Sequence, residues 1–207
     1  MTFNFLPLDK VDVPKIPIKK NVTLPSSKTA LIIVDMQNDF VKDKGSLLVS
    51  SAKETISNIK GLLTAARNKN VVVCYTQDTH FKDDKEWTIW PKHCEKNSWG
   101  WEIIKELKPN KNEMIFQKNR YDGFYGTTLN HYLSNVWKIE NLIITGTVSN
   151  ICVAQTAASA GLRWYNIIIP ADSISSITEF DQALTLRQVS FLFNGLIVRS
   201  SKDIKFK

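Results

Sequence analysis

Cysteine is scarce and odd in number, three in 207 residues, which argues against a disulfide framework. Cys74 sits in the apolar run VVVCYT and reads as a small core residue, leaving Cys94 and Cys152 to be explained. No apolar run approaches the ~20 residues that span a bilayer. The opening MTFNFLPLDKVDVPKIPIKK lacks the continuous apolar core and cleavage site of a signal peptide. A cytoplasmic address with no membrane partner is therefore expected. The net charge of +7 comes from scattered lysines, without a basic helix, an RNA-binding signature or zinc-finger spacing, so nucleic acid is not an expected partner. Internal repeats and low-complexity tracts are missing too.

What is present is 43% hydrophobic and 23% charged residues, the balance of a globular chain of one domain's length. Residues 1–28 form an arm carrying Pro7, Pro14, Pro17 and Pro25, a density that prevents regular helix and favours extended backbone. From residue 29 to 207 one domain is expected. Its apolar runs ALIIVD (30–35), VVVCYT (71–76), EMIFQK (113–118), NLIITG (141–146), NIIIPA (166–171) and GLIVRS (195–200) are short and β-branched on consecutive positions, as in strands covered on both faces. Amphipathic stretches near 50–68, 126–137, 151–163 and 179–193 alternate with them. This order predicts an α/β fold: a single-domain, doubly wound, Rossmann-like sheet of about six mainly parallel strands with helices on both faces.

Ligands of open parallel sheets bind at the carboxyl ends of the strands, so the polar residues just after each run come first. These are Asp35, Asp78, Lys118 and the segment GTVSNIC. Cys152 opens a helical stretch, where the helix dipole and unpaired amides favour thiolate and can receive an oxyanion. Only three histidines exist and none follows a strand directly, so Asp35 is the candidate base, with Lys118 balancing charge. Position alone equally admits a buried cysteine, a helix-capping aspartate and a surface lysine. The longest break, residues 77–101, holds DTHFKDDKEWTIWPKH. Asp78, His80, Glu86 and His93 there suit one divalent transition metal, zinc first, with iron or manganese as alternatives. A solvated loop with incidental histidines is the plainer explanation.

LIIVDMQNDFV, KNRYDGFYGTTL and TGTVSNICVAQTAASA, in that order, resemble the isochorismatase-like cysteine hydrolases, and the nicotinamidases in particular. The resemblance runs from Thr29 to about Ser176. It implies a catalytic triad of Asp35, Lys118 and Cys152, a cis peptide between Thr147 and Val148, and an oxyanion hole from the amides of Val148 and Cys152. It also implies metal ligation by Asp78, His80, Glu86 and His93, and a pyridine ring lined by Phe40, Trp90 and Tyr121. Retention of the cysteine favours C–N hydrolysis over vinyl-ether cleavage. The expected reaction is nicotinamide to nicotinate plus ammonia, within NAD salvage, by a homo-oligomer. The chain departs from nicotinamidases at TIWPKH and KNSWG, where glycines are common. A carbamoyl, ureido or other small amide is the alternative substrate, with Arg120 as a candidate basic group. A catalytically silent binding or assembly module is the remaining reading.

Overall fold

The computed structural model describes residues 13–207. The six apolar runs become β3 (Thr29–Val34), β4 (Val72–Asp78), β5 (Met114–Lys118), β6 (Asn141–Thr147), β7 (Asn166–Pro170) and β9 (Leu196–Val198). Two short strands complete an eight-stranded sheet, β1 (Ile18–Lys19) and β8 (Ile174–Ser175); a separate pair joins β2 (Val22–Leu24) to β10 (Ile204–Phe206). The main order is β1-β9-β7-β6-β3-β4-β5, with β8 beside β6, and every pair is parallel. Of the proline-bearing arm, residues 1–12 lie outside the described residues, and the described part is pinned to the body through β1 and β2.

Strand β3 shows why the runs are apolar throughout. Leu31 and Ile33 face one core layer, while Ala30, Ile32 and Val34 face the other, because successive side chains alternate sides. All six β3 residues are buried, and each large aliphatic among them contributes about 1.5–3 kcal/mol by leaving water. The first layer is closed by α2 (Ala52–Asn68), which buries Thr55, Ile59, Leu62, Leu63 and Ala66 at helical spacing. Asn70 ends it in the left-handed region (φ 51°), a common helix stop, and Val71 returns its amide to Ala66 O at 2.9 Å. The second layer is closed by α3 (Ala154–Leu162) and α4 (Glu179–Leu192) through Ala157, Ala160, Leu186 and Val189.

Two helical expectations shift. The stretch 126–137 is a π-helical turn only over His131–Val136, since Gly126 is left-handed (φ 67°) and the preceding residues turn. The stretch 151–163 begins earlier, as a π-helical turn over Ser149–Val153 running into α3. A four-residue helix, α1 (Asn38–Val41), follows β3. No helix among the described residues is long and apolar enough to cross a membrane. Chain order reverses at β3, which lies between β4 and β6. The carboxyl ends of β3, β4, β5 and β6 therefore border the crevice where such sheets bind ligands.

Candidate active site

Asp35 leaves β3 with a left-handed backbone, φ 49°, a conformation costing a non-glycine residue on the order of 1–3 kcal/mol unless its surroundings hold it. They do: its amide donates to Thr76 O at 3.3 Å, Gln37 N donates to its carbonyl at 2.7 Å, and Thr76 Oγ1 donates to Oδ1 at 2.7 Å. Lys118, the last residue of β5, places Nζ 2.8 Å from Asp35 Oδ2 and 2.9 Å from Asp78 Oδ1. Asp35 Oδ2 is buried, with the Lys118 ammonium as its ion partner. Lys118 Nζ also donates to Cys152 Sγ at 3.6 Å. Asp35, Lys118 and Cys152 are thus one buried cluster, with a single cation between two carboxylates.

Burial pushes the Asp35 carboxyl up, and Lys118 only partly offsets it. Burial acts the same way on Asp78, but there Lys118 and two imidazoles prevail and hold the carboxyl far below its ordinary range. Two carboxylates on one ammonium are therefore driven apart, which separates a proton acceptor from a permanent anion. Burial lowers Lys118, and the two aspartates outweigh it, keeping the ammonium charged. The thiol departs from expectation. Burial first, then Asp35 and Asp78, push Cys152 well above the ordinary thiol range against Lys118. The helix start does not prevail, since Cys152 stands in the π-helical turn and α3 begins only at Ala154. The resting thiol is protonated, with Asp35 beside it.

The peptide between Thr147 and Val148 is cis, and Val148 borders the same pocket as Cys152. Just before it, Gly146 has φ 110°, and a Cβ there would sit 2.0 Å from Val34 O. Only glycine lets β6 approach β3 this closely.

Asp78, His80, Glu86 and His93, all buried, bring one ligand atom each within 4.8 Å of one another. Asp78 Oδ2 lies 3.1 Å from His80 Nε2 and 3.3 Å from His93 Nε2. The far ring nitrogens are held outside, His80 Nδ1 on Asp84 Oδ2 at 3.0 Å and His93 Nδ1 on Pro91 O at 2.7 Å. That turns both Nε2 atoms inward, the atoms through which the imidazoles would ligate a metal. Glu86 Oε2 is buried with no hydrogen-bond donor. Two carboxylates, two imidazoles and an orphaned oxygen fit a divalent cation. Without one, burial lowers His80, and Asp78, Asp84 and Glu86 carry it up to about 8.

Phe40, Trp90 and Tyr121 line the pocket that also touches Cys152, Asp78 and His93. Trp90 Nε1 donates to Tyr121 Oη at 3.0 Å, and the Phe40 ring lies 5.7 Å from that of His93. Leu47, Val49, Ile151 and Ile177 also line it; no motif in the sequence marked them. Arg120 does not line the pocket, because its Nη1 donates to Asp84 Oδ1 at 3.2 Å. Three supporting residues also went unmarked. Gln37 exchanges hydrogen bonds with the Asp78 backbone at 2.8 Å in each direction. Thr76 holds Asp35, and Asp39 accepts from Cys94 N at 2.8 Å beside His93. Gln37 and Asp39 stand in the polar run right after β3, the position that flagged Asp35; Thr76 lies inside a strand and carries no such signal.

A family model described as the isochorismatase domain matches residues 29–201. The chain is 30% identical over 199 residues to the ureidoacrylate amidohydrolase RutB of Agrobacterium fabrum, covering 83% of this chain and 87% of that protein. The crystal structure of nicotinamidase PncA from Bacillus subtilis is similar at TM-score 0.78 and 26% identity, over 83% of this chain and 100% of that one. Pyrazinamidase of Pyrococcus horikoshii, solved in complex with zinc, is similar at TM-score 0.74 and 25% identity, over 87% of this chain and 98% of that one.

Proposed function

We propose that this chain, which belongs to the isochorismatase family, is a cysteine amidohydrolase acting on a small, flat, uncharged amide, nicotinamide first. Asp35 Oδ2 takes the Cys152 thiol proton as sulfur attacks the amide carbonyl. The amides of Val148 and Cys152 receive the oxyanion. Asp35 then passes the proton to the leaving nitrogen, ammonia departs, and the acyl group stays on sulfur as a thioester. Water, deprotonated by Asp35, attacks that thioester; nicotinate leaves and the thiol regains its proton. Lys118 holds Asp35 in place and offsets negative charge as sulfur ionises. A divalent ion, zinc by preference, held by Asp78, His80, Glu86 and His93 supplies a Lewis-acid coordination position at the pocket wall.

One observation carries the substrate reading. The pocket offers aromatic and aliphatic walls and, among the described residues, no side-chain cation free of a partner, since Arg120 is committed to Asp84 and Lys118 to Asp35 and Asp78. A ureido acid would find no side-chain counter-charge there for its carboxylate, and burying a charge unpaired costs several kcal/mol; only the ion would be left to offset it. The ureido reading remains the second one, favoured by the relative that bears that activity in its name. Ammonia release from nicotinamide, pyrazinamide and ureidoacrylate separates the two. Nicotinamide is expected to give a kcat/KM at least tenfold above ureidoacrylate, with an acyl adduct trapped on Cys152 and absent from Cys152→Ala; the reverse order transfers the assignment to the ureido class. Three unpaired, buried cysteines support the proposed cytoplasmic address. Large apolar side chains left in solvent, Leu162 and Trp164 among them, support the proposed homo-oligomer, which sedimentation at one chain's mass would remove.

A further inference from the structure

We infer that Asp84, which is not itself one of the four donors, is the positioning residue of the metal-holding cluster. It sets which nitrogen of His80 faces the ion and where Glu86 stands, an inference that rests on the metal reading proposed above. Asp84 Oδ2 lies 3.0 Å from His80 Nδ1, while Asp78 Oδ2 lies 3.1 Å from Nε2 across the ring. An ionised carboxylate only accepts, so each nitrogen facing one carries hydrogen while the site holds no ion. A cation shared by Asp78 and His80 would take the place of the hydrogen on Nε2, and Asp84, which is not a donor to it, would keep the hydrogen on Nδ1.

The other oxygen of the same side chain governs the second ligand. Asp84 Oδ1 accepts the Glu86 amide at 2.9 Å and starts the turn Lys85–Thr88. That turn carries the Glu86 carboxylate to 3.9 Å from His80 Nε2. Two ligands six positions apart in sequence are thus referenced to one carboxylate. Arg120 locks that carboxylate, reaching Oδ1 at 3.2 Å and Oδ2 at 3.3 Å from a single Nη1. His93 takes its corresponding bond from a backbone carbonyl, Pro91 O, which no substitution removes. Asp84 is therefore the side chain through which the cluster can be disturbed without touching a donor.

Asp84→Asn keeps the volume and tests this geometry. With its oxygen toward the Glu86 amide and Arg120, it sets an NH2 donor against His80 Nδ1. The proton is then driven to Nε2, where coordination needs a lone pair. The opposite flip sets that donor against the Glu86 amide and the guanidinium. Zinc affinity of the full chain, measured by competition with a chromogenic chelator, is expected to weaken roughly 10–100-fold, while the melting temperature of the zinc-free protein stays at the wild-type value. Wild-type affinity in the variant overturns the inference. So does a lowered zinc-free melting temperature with affinity intact, the pattern of a merely structural role. Should the variant fail to fold, imidazole nitrogen NMR of the zinc-loaded wild type decides. Coordination through His80 Nε2 with a slowly exchanging Nδ1–H supports the inference, and coordination through Nδ1 overturns it. A wild-type chain that takes up no zinc removes the metal reading itself, a result distinct from the others because wild type and variant then behave alike.

Discussion

At the scale of single residues, the site is organised by how Lys118 divides its charge. Both aspartates lie within 3 Å of its Nζ, at 2.8 and 2.9 Å, yet Asp78 also faces two imidazoles, at 3.1 and 3.3 Å. Asp35 has one short hydroxyl bond, from Thr76. The less supported carboxylate is the more basic, and it is the one beside sulfur. A base must be ionised to act, so kcat/KM should rise with pH through the Asp35 ionisation. Because burial raises that group, the acid limb should lie above the ordinary aspartate value of about 3.9. Thr76→Val removes a bond to the ionised form and should move the limb to still higher pH; an unmoved limb excludes Asp35 as the titrating base. Asp35→Asn should cost about 10²–10⁴ in kcat with little change in KM. Asp35, Lys118 and Cys152 were legible in the sequence because each follows or ends an apolar run, where the topology gathers polar groups. Asp84 and Thr76 were not: Thr76 meets Asp35 from 41 positions away across two strands, and Asp84 is one of several acids in a polar loop, set apart only by the local turn that brings it onto His80 and the Glu86 amide.

Among elements, β3, β4, β6 and β7 were legible for a physical reason: burial on both faces demands β-branched runs that few other structures tolerate. Strand β5, at the sheet edge with Ile115 and Gln117 exposed, and the three-residue β9 were legible from the runs around them. Strands β1, β2, β8 and β10 have only two or three residues, too few for any periodicity, and are defined by their partners. The π-helical turn at Ser149–Val153 left no mark in composition either. The far end of the sheet is held by a different device. Arg67 on α2 donates from Nε and Nη2 to the two oxygens of Glu113, both at 2.8 Å, joining that helix to the start of β5. Burial raises the Glu113 carboxyl, and Arg67 with the Asn110 amide more than reverses it, so its folded value lies below the ordinary 4.5. A depressed carboxylate stabilises the fold above its unfolded value and loses that contribution as pH falls. Glu113→Gln should therefore cost about 1.5–3 kcal/mol at pH 7, in a gap that narrows below pH 4.5. Turnover should be unchanged, because Glu113 sits at the amino end of β5 and the thiol at the carboxyl end of the sheet. Denaturant melts at two pH values check this, and a gap that ignores pH would mean that lost packing, not charge, is responsible.

On the scale of the whole molecule, the long connection after β4 joins the body with little regular structure of its own. The body is two apolar layers around a parallel sheet. The connection carries no long helix or strand between Asp78 and Met114, only short turns and the isolated bridges Gln37–Ile103 and His80–Glu95. Cys94, Ile104 and Leu107 sink into the first apolar layer, and polar ties add to them: Gln37 Nε2 to Trp101 O at 2.9 Å, Cys94 N to Asp39 Oδ2 at 2.8 Å, and the cluster at Asp78. Of that cluster, Asp78 ends a core strand and the other three donors belong to the connection. A cation held there would cross-link the two parts in the folded state, while the unfolded chain holds no preformed site. Mass action then stabilises the fold by about 2.7 kcal/mol when free metal exceeds its dissociation constant a hundredfold. For a chain of this size each kcal/mol is worth about 2–4 °C, so zinc should raise the melting temperature by about 5–11 °C. The rise should grow with the logarithm of zinc concentration and vanish with a chelator. In His80→Ala it should be largely lost, while the zinc-free melting temperature moves far less. A melting temperature indifferent to zinc, cobalt and chelator alike would remove the cation from this fold. The connection would then be held by its apolar contacts and by the bonds of Gln37, Asn38, Asp39 and Gln77, and Asp35, Lys118 and Cys152 would still stand as the site's chemistry.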